Sequence, residues 1–273
     1  MKIGIFFNNN RGIHVLEALL KKNYLVDVYL SKKNLNHKIL KKIKGKFFII
    51  EKLNSKLIDK IKKENYDLLI VAGWPLIFSK KIIKIAKYGT INLHAGKLPQ
   101  YRGGSPLNWQ IIEGKKEIYI SIIKMTKKID AGPIYMSKKI KLKSNEDIND
   151  LHNKVNKLYP NMVLKVIQNI KENIKPKKQN LEFKRYLKQR SDKDGEIKWK
   201  LMTNIQVFNF VKAITKPYPG AFYFMKYKKL RLLNCKISKI KQKLEPGSIL
   251  IKSKQKFIGC KKGSIKVIHE KID

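Results

Sequence analysis

The chain has 273 residues, a hydrophobic content of 43% and a formal net charge of +42. That apolar fraction excludes global disorder, and no apolar run approaches the roughly 18 residues needed to span a bilayer. The charge is nearly all lysine, spread along the whole chain among many Ile and Asn residues, so it reads first as solvated surface and second as affinity for an acidic ligand or partner.

At roughly 100–200 residues per domain, the length suits one large domain or two. The opening "MKIGIFF" passes directly into polar "NNNRG" without a long apolar segment, which points to a cytoplasmic protein. "KIGIFF" at 2–7 reads as a first strand, and "GIHVLEALLKK" follows with helical spacing at Ile13, Leu16, Leu19 and Leu20. "YLVDVYL" at 24–30 and "KFFIIE" at 46–51 read as strands separated by a basic amphipathic piece. "SKLIDKIKKENY" is a helix with Ser55 as its expected cap, and "DLLIVAGW" at 67–74 is a continuous apolar strand of the buried kind. "SKKIIKIAKYG" is a helix stopping at Gly89, and "TINLH" at 90–94 is again a strand. Strands alternating with helices of this length predict a Rossmann-like, mostly parallel sheet with helices on both faces. Ligands in such sheets bind beyond the carboxyl ends of the strands, where "AGWPL" and "HAGKLPQYRGG" fall.

Further on, "SPLNWQIIEG" reads as a helix closed by Gly114, and residues 118–126 and 133–142 as two strands joined through "KKIDAG". A long amphipathic helix spans 144–173. Ser144 and Asp147 form its expected capping-box start, and its stripe is Ile148, Leu151, Val155, Leu158, Val163, Val166 and Ile170. Pro160 within it predicts a kink or break. The polar, poorly periodic stretch 175–196 reads as a surface linker. Beyond it "TNIQVFNFVKAI" is a short helix, and "AFYFMKYKKLRLLNCKI", "GSILIKS", "KFIGCK" and "SIKVIH" are short strands. The expected division is therefore an α/β domain over 1–178 and, over 179–273, a linker with a small, mainly-β, barrel-like domain.

Cys235 and Cys260 lie far apart and outside any Cys-x-x-Cys or Cys/His cluster, so they read as buried or half-buried thiols. The histidines His14, His37, His94, His152 and His269 show no metal-ligand spacing, and no metal is expected.

Asn92 and His94 stand two apart on one strand and so point to the same face. A carboxamide with two donors beside an imidazole suits a carbonyl oxygen that becomes an oxyanion. Asp130, in the tight loop "KKIDAG", is placed to reach a neighbouring strand end. A carboxylate beside a histidine favours the imidazolium, and such a pair can take a proton from an attacking amine. The same residues also have plain structural readings, the His as a core residue and the Asp as a turn former.

"NLHAGKLPQYRGGSPLNW" and "ISIIKMTKKIDAGPIY" resemble the core of the folate-dependent formyltransferases, with their Asn-x-His, Leu-Pro-x-Tyr-Arg-Gly and later Asp-x-Gly. The likeness continues through "QRSDKDGEIKW", "FNFVKAITKPYPGAF" and "EPGSIL…IGCKKGSIKVI", which resemble the C-terminal domain of the methionyl-tRNA and sugar-nucleotide branches. Gly96 and Lys97 depart from the family's usual Ser and Leu. The resemblance implies formyl transfer from 10-formyltetrahydrofolate to a primary amine, with Asn92, His94 and Asp130 as the catalytic triad. It also implies a pteridine pocket lined by Ala72, Gly73, Trp74, Leu76 and Ile129, mainly through backbone groups; the side chains of Trp74 and Leu76 read equally as core. Tyr101, Arg102 and Gly103 fall at the acceptor, where Arg102 binds a substrate phosphate or holds its own loop.

"YRGGSPLNW" and "KPYPGAF" look more like the enzymes that formylate 4-amino-4-deoxy sugars on nucleotide carriers, so a nucleotide-sugar amine is the expected acceptor. The basic charge favours the alternative, initiator Met-tRNA. A 10-formyltetrahydrofolate hydrolase and a non-catalytic basic nucleic-acid-binding protein are the remaining readings. No membrane partner is expected, and a homodimer is left open.

Overall fold

The computed structural model describes residues 1–33, 35, 40, 41, 47–183 and 185–273. The basic piece expected between the second and third strands lies largely outside the described residues, as does His37.

The larger sheet has seven strands in the order β3-β2-β1-β4-β5-β6-β7. They are β1 Lys2–Phe7, β2 Leu25–Ser31, β3 Phe47–Ile50, β4 Leu68–Ala72, β5 Thr90–His94, β6 Glu117–Lys124 and β7 Ile134–Lys141. The ladders joining β3, β2, β1, β4 and β5 are parallel, and β6 runs antiparallel to β5. The sheet is thus mixed and mostly parallel. Chain order reverses at β1: β2 and β3 build outward on one side, and β4 starts again on the other. The carboxyl edge beside such a reversal is where a crevice for ligands opens.

Strand alternation sends successive side chains of β1 to opposite faces. Phe6 joins a core with Tyr29, Ile61, Leu69, Val71, Phe78, Ile82 and Ile83, which brings in helix α2 (Ser55–Lys63) and the short α3 (Lys80–Ile83). Phe7 meets the other side: a Cβ on Gly12 of α1 (Asn10–Lys21) would lie 2.0 Å from its ring. Helices therefore cover both faces.

Local details differ from the sequence pattern in physically simple ways. The cap of α2 is Asn54, whose side chain accepts from the Leu57 N–H, so Ser55 becomes the first helical residue. Only Lys80–Ile83 is α-helical in the segment that turns at Gly89. The helix α4 (Pro106–Ile112) is followed by Gly114 at φ +69°. Helix α5 (Ile148–Lys171) is capped by Asp147 with Asp150, each carboxylate accepting the other residue's N–H, without Ser144. It runs through Pro160 unbroken, because Tyr159, Met162 and Val163 bury their side chains on either side of the lost hydrogen bond. Its buried stripe passes through Tyr159, and Leu158 is only half-buried.

By compactness the chain divides into two units. The first comprises Met1–Gly103, Tyr119–Lys139 and Asn153–Tyr186, the second Gly104–Ile118, Ile140–His152 and Leu187–Asp273. In the second unit a five-stranded antiparallel sheet has the order β10-β11-β12-β9-β8. The single long run expected from Ala221 is a hairpin, β8 Ala221–Met225 and β9 Lys228–Ile237, whose turn rests on Lys226 at φ +52°. Strands β10 (Ile249–Lys252), β11 (Gln255–Gly259) and β12 (Ser264–Ile272) complete the sheet. Helix α6 (Asn204–Ile214) starts in a capping box of Thr203 and Gln206 and receives α4 through the Asn108 side chain, which donates to the Ala213 carbonyl at 2.8 Å. Cys235 and Cys260 are free and buried in this unit. No helix among the described residues is long and apolar enough to cross a membrane.

Candidate active site

Strand β5 is nearly all buried and sits between β4 and β6, with Asn92 opposite Val71 on one side and Ile123 on the other. Its two-residue period puts Asn92 and His94 on one face at the carboxyl end. The turn from β6 to β7 folds back toward that end. Met125 N–H donates to the Thr90 carbonyl at 2.7 Å, and Lys124 N–H to the Pro133 carbonyl at 2.9 Å. Within this turn Asp130 has φ +49°, a left-handed conformation uncommon for a residue with a Cβ.

These restraints gather the three residues. Asn92 Nδ2 donates to Asp130 Oδ1 at 3.3 Å, and His94 Nδ1 lies 3.4 Å from Asp130 Oδ2. The Gly103 N–H donates to the same Oδ2 at 3.0 Å. The side chains of His94 and Asp130 are 5% and 10% exposed, so the carboxylate relies on these donors rather than on water. His94 Nε2 is 2.6 Å from the Tyr101 carbonyl oxygen. With an acceptor facing each ring nitrogen, an imidazolium satisfies both contacts at once. Asn92 Nδ2 carries a second N–H besides the one given to Asp130.

The loop after β5 supplies the other expected residues. Tyr101 is buried, its N–H donates to the Lys97 carbonyl at 2.8 Å, and Arg185 lies over its ring. The Gly96 carbonyl accepts from Ser121 Oγ at 2.9 Å, and Lys97 Nζ sits 4.9 Å from the Tyr119 ring centre, so both atypical positions are held by β6 and its start. Arg102 donates from Nη2 to the Phe183 carbonyl and leaves its buried Nε without a partner. That contact ties the loop after β5 to the stretch around Phe183.

After β4, Ala72 is buried and Gly73 takes φ +73° with its α-carbon pressed toward the Asn9 side chain. Trp74 packs edge-on to Phe6 at 5.3 Å and beside Phe78, yet its buried Nε1 has no hydrogen-bond partner. Leu76 is half-buried, and Ile129 is half-exposed on the Asp130 turn. Among the described residues no three His, Cys, Asp or Glu side chains gather as a metal site.

Two contributors come from the stretch that reads as a linker. Gln179 Nε2 donates to the backbone carbonyls of Asp130 and Gly132 at 2.9 and 2.7 Å. The Tyr186 hydroxyl has its pKa raised, chiefly by burial and then by the Asp130 carboxylate, with Arg102 opposing. Neither residue carries a periodicity or motif that marks it in the sequence.

This is an α/β protein with an amide–imidazole–carboxylate cluster at the ligand edge of its sheet. The family described as formyl transferase matches residues 15–167, and the formyl transferase C-terminal domain matches residues 190–272. The chain belongs to the formyl transferase family. It is 34% identical to a bifunctional polymyxin resistance protein, ArnA, of Wigglesworthia glossinidia brevipalpis over 98% of this chain and 42% of that protein. It is 33% identical to a methionyl-tRNA formyltransferase of Caldicellulosiruptor saccharolyticus over 72% of this chain and 63% of that protein. The chain thus spans less than two thirds of either relative. In fold it is similar to an N-formyltransferase from Helicobacter canadensis solved with folinic acid and dTDP-3-aminofucose, with a TM-score of 0.72, 18% identity and coverage of 99% of this chain and 100% of that one.

Proposed function

We propose that this chain transfers a formyl group from 10-formyltetrahydrofolate to the amino group of a nucleotide-linked 4-amino-4-deoxy sugar. The observation that carries the reading is the Asp130 carboxylate drawn onto both Asn92 and His94 at the carboxyl end of β5. The acceptor nitrogen attacks the formyl carbon, and the carbonyl oxygen becomes an oxyanion. Asn92 donates its second N–H to that oxygen. His94 joins it by turning Nε2 from the Tyr101 carbonyl. Asp130, facing His94 Nδ1, takes the amine's proton, directly or through water. As the C–N10 bond breaks, a proton returns to N10, giving the formamide and tetrahydrofolate. The residues after β4 suit the folate: Trp74 Nε1 is a buried donor without a partner, and Gly73 turns the chain in the left-handed region, packed against the Asn9 side chain. Ala72, Leu76 and Ile129 complete that pocket, and Tyr101, Arg102 and Gly103 frame the acceptor.

A sugar nucleotide is supported by the likeness in fold to the Helicobacter canadensis N-formyltransferase, which was solved with dTDP-3-aminofucose. The net charge of +42 favours the second reading, initiator Met-tRNA, because phosphate neutralisation drives such binding. Purified protein given 10-formyltetrahydrofolate with either amine decides between them. Formylation of the amino-sugar nucleotide alone is expected. Formylation of Met-tRNA alone overturns the first reading, release of tetrahydrofolate without an amine identifies a hydrolase, and no turnover with nucleic-acid binding identifies a non-catalytic protein.

A further inference from the structure

The described residues of the stretch 175–190 carry little regular structure, yet part of it binds the turn that presents Asp130. Ile134 and Lys177 exchange backbone hydrogen bonds of 2.7 and 2.9 Å. Two residues later the Gln179 amide reaches the turn itself. Its nitrogen bears two N–H groups, and its two observed acceptors are the carbonyls of Asp130 and Gly132. Its Oε1 is buried without a partner, so the two donations account for the placement of the side chain.

The turn needs such support. Asp130 occupies the left-handed region, and Gly132 is pressed so closely to β6 that a Cβ would lie 1.7 Å from the Lys124 carbonyl oxygen. The strand is one restraint on the turn. We infer that Gln179 is a second and is a positioning residue for Asp130, setting the carboxylate against Asn92, His94 and the Gly103 N–H. The inference rests on the reading of Asp130 as part of the formyl-transfer site.

Gln179→Met keeps the length of the side chain and removes both donors. Gln179→Glu turns a carboxylate toward two carbonyls. Each is compared with the wild type and Asp130→Asn, using 10-formyltetrahydrofolate and whichever of the amino-sugar nucleotide and Met-tRNA the wild type formylates. An ångström of misplacement costs about 10²-fold in rate, so Gln179→Met is expected to lower kcat about 10- to 100-fold with acceptor KM within about twofold and melting temperature unchanged. Gln179→Glu is expected to be worse near neutral pH and to recover in part as pH falls, since the protonated carboxyl regains one donor. Hydrogen exchange at the Gly103 amide needs no substrate and is expected to quicken in Gln179→Met. Unchanged exchange overturns the inference, as does a fall in activity that only follows a fall in melting temperature. If Asp130→Asn is inactive while Gln179→Met turns over normally, the inference alone fails. If Asp130→Asn keeps wild-type kcat, the reading of the site fails and takes the inference with it.

Discussion

His94 Nε2 lies 2.6 Å from the carbonyl oxygen of Tyr101, so this ring nitrogen is committed to the backbone before any ligand arrives. The other ring nitrogen faces Asp130. Among the three clustered side chains, the donor that can meet an oxyanion without rearrangement is therefore Asn92.

Asn92→Ala is accordingly expected to lower kcat by about 10²–10³-fold, the usual cost of one oxyanion donor, with little change in KM for the folate. The substitution removes a donor to Asp130 as well, but the carboxylate keeps the Gly103 N–H at 3.0 Å, and the turn stays in place. Single-turnover and steady-state formyl transfer check this. A kcat near that of the wild type removes Asn92 from the mechanism.

Gly132→Ala tests the turn from its strand side. The added Cβ would sit 1.7 Å from a backbone oxygen, which cannot move aside as a flexible side chain can. Overpacking of this kind costs about 1–3 kcal/mol, and the displaced turn carries Asp130 with it. The expected variant melts lower and loses activity. Thermal unfolding and formyl transfer measured on one preparation check both, and an unaltered melting curve contradicts the close approach.

Much of this site was legible in sequence because it depends on one short strand. "TINLH" is apolar and ends in a loop, and a period of two aligns Asn92 with His94 whatever the rest of the fold does. Asp130 is another matter. Its approach depends on β6 reversing direction beside β5 and on a left-handed turn that no Gly marks at that position. Residue types alone suggested it; the resemblance to a family gave it a role. The hairpin at Lys226 was hidden for the same reason, since the left-handed residue there is a lysine inside a continuous β-forming run. Gln179 was illegible because its contacts are to backbone carbonyls far away in sequence, and a polar stretch without periodicity gives no sign of them. Pro160 misled because local propensity was outweighed by burial along the helix.

Cys235 and Cys260 have their thiol pKa values pushed up to about 12, in both cases chiefly by burial. At mildly alkaline pH both remain thiols, which are poor nucleophiles. Labelling with a disulfide reagent is expected to be slow in the native protein and fast, at both positions, after denaturation. Rapid labelling of the native protein at either position contradicts the buried placement.

Arg231 ties the second unit together by electrostatics. It is 6% exposed and donates to both carboxylate oxygens of Asp192, at 2.7 and 3.0 Å, and of Asp273, at 2.7 and 2.6 Å. Lys229 Nζ stands 3.2 and 3.1 Å from the same two carboxylates. Hydrogen bonds from Arg231 are the main reason that both carboxylates titrate below their ordinary value of 3.8. A carboxylate whose folded pKa is depressed contributes its stability in full above the unfolded value and loses it as pH falls through the folded one. Asp192→Asn removes one arm of the cluster while Asp273 still faces Arg231, and Asp192 is partly exposed, so the expected cost at neutral pH is about 1–2 kcal/mol, below that of a fully buried pair. The melting temperatures of wild type and variant are expected to differ above about pH 4 and to converge below it, as the wild-type carboxylate is protonated. A separation that persists unchanged into strong acid shows that Asp192 stabilises the unit by packing rather than by charge.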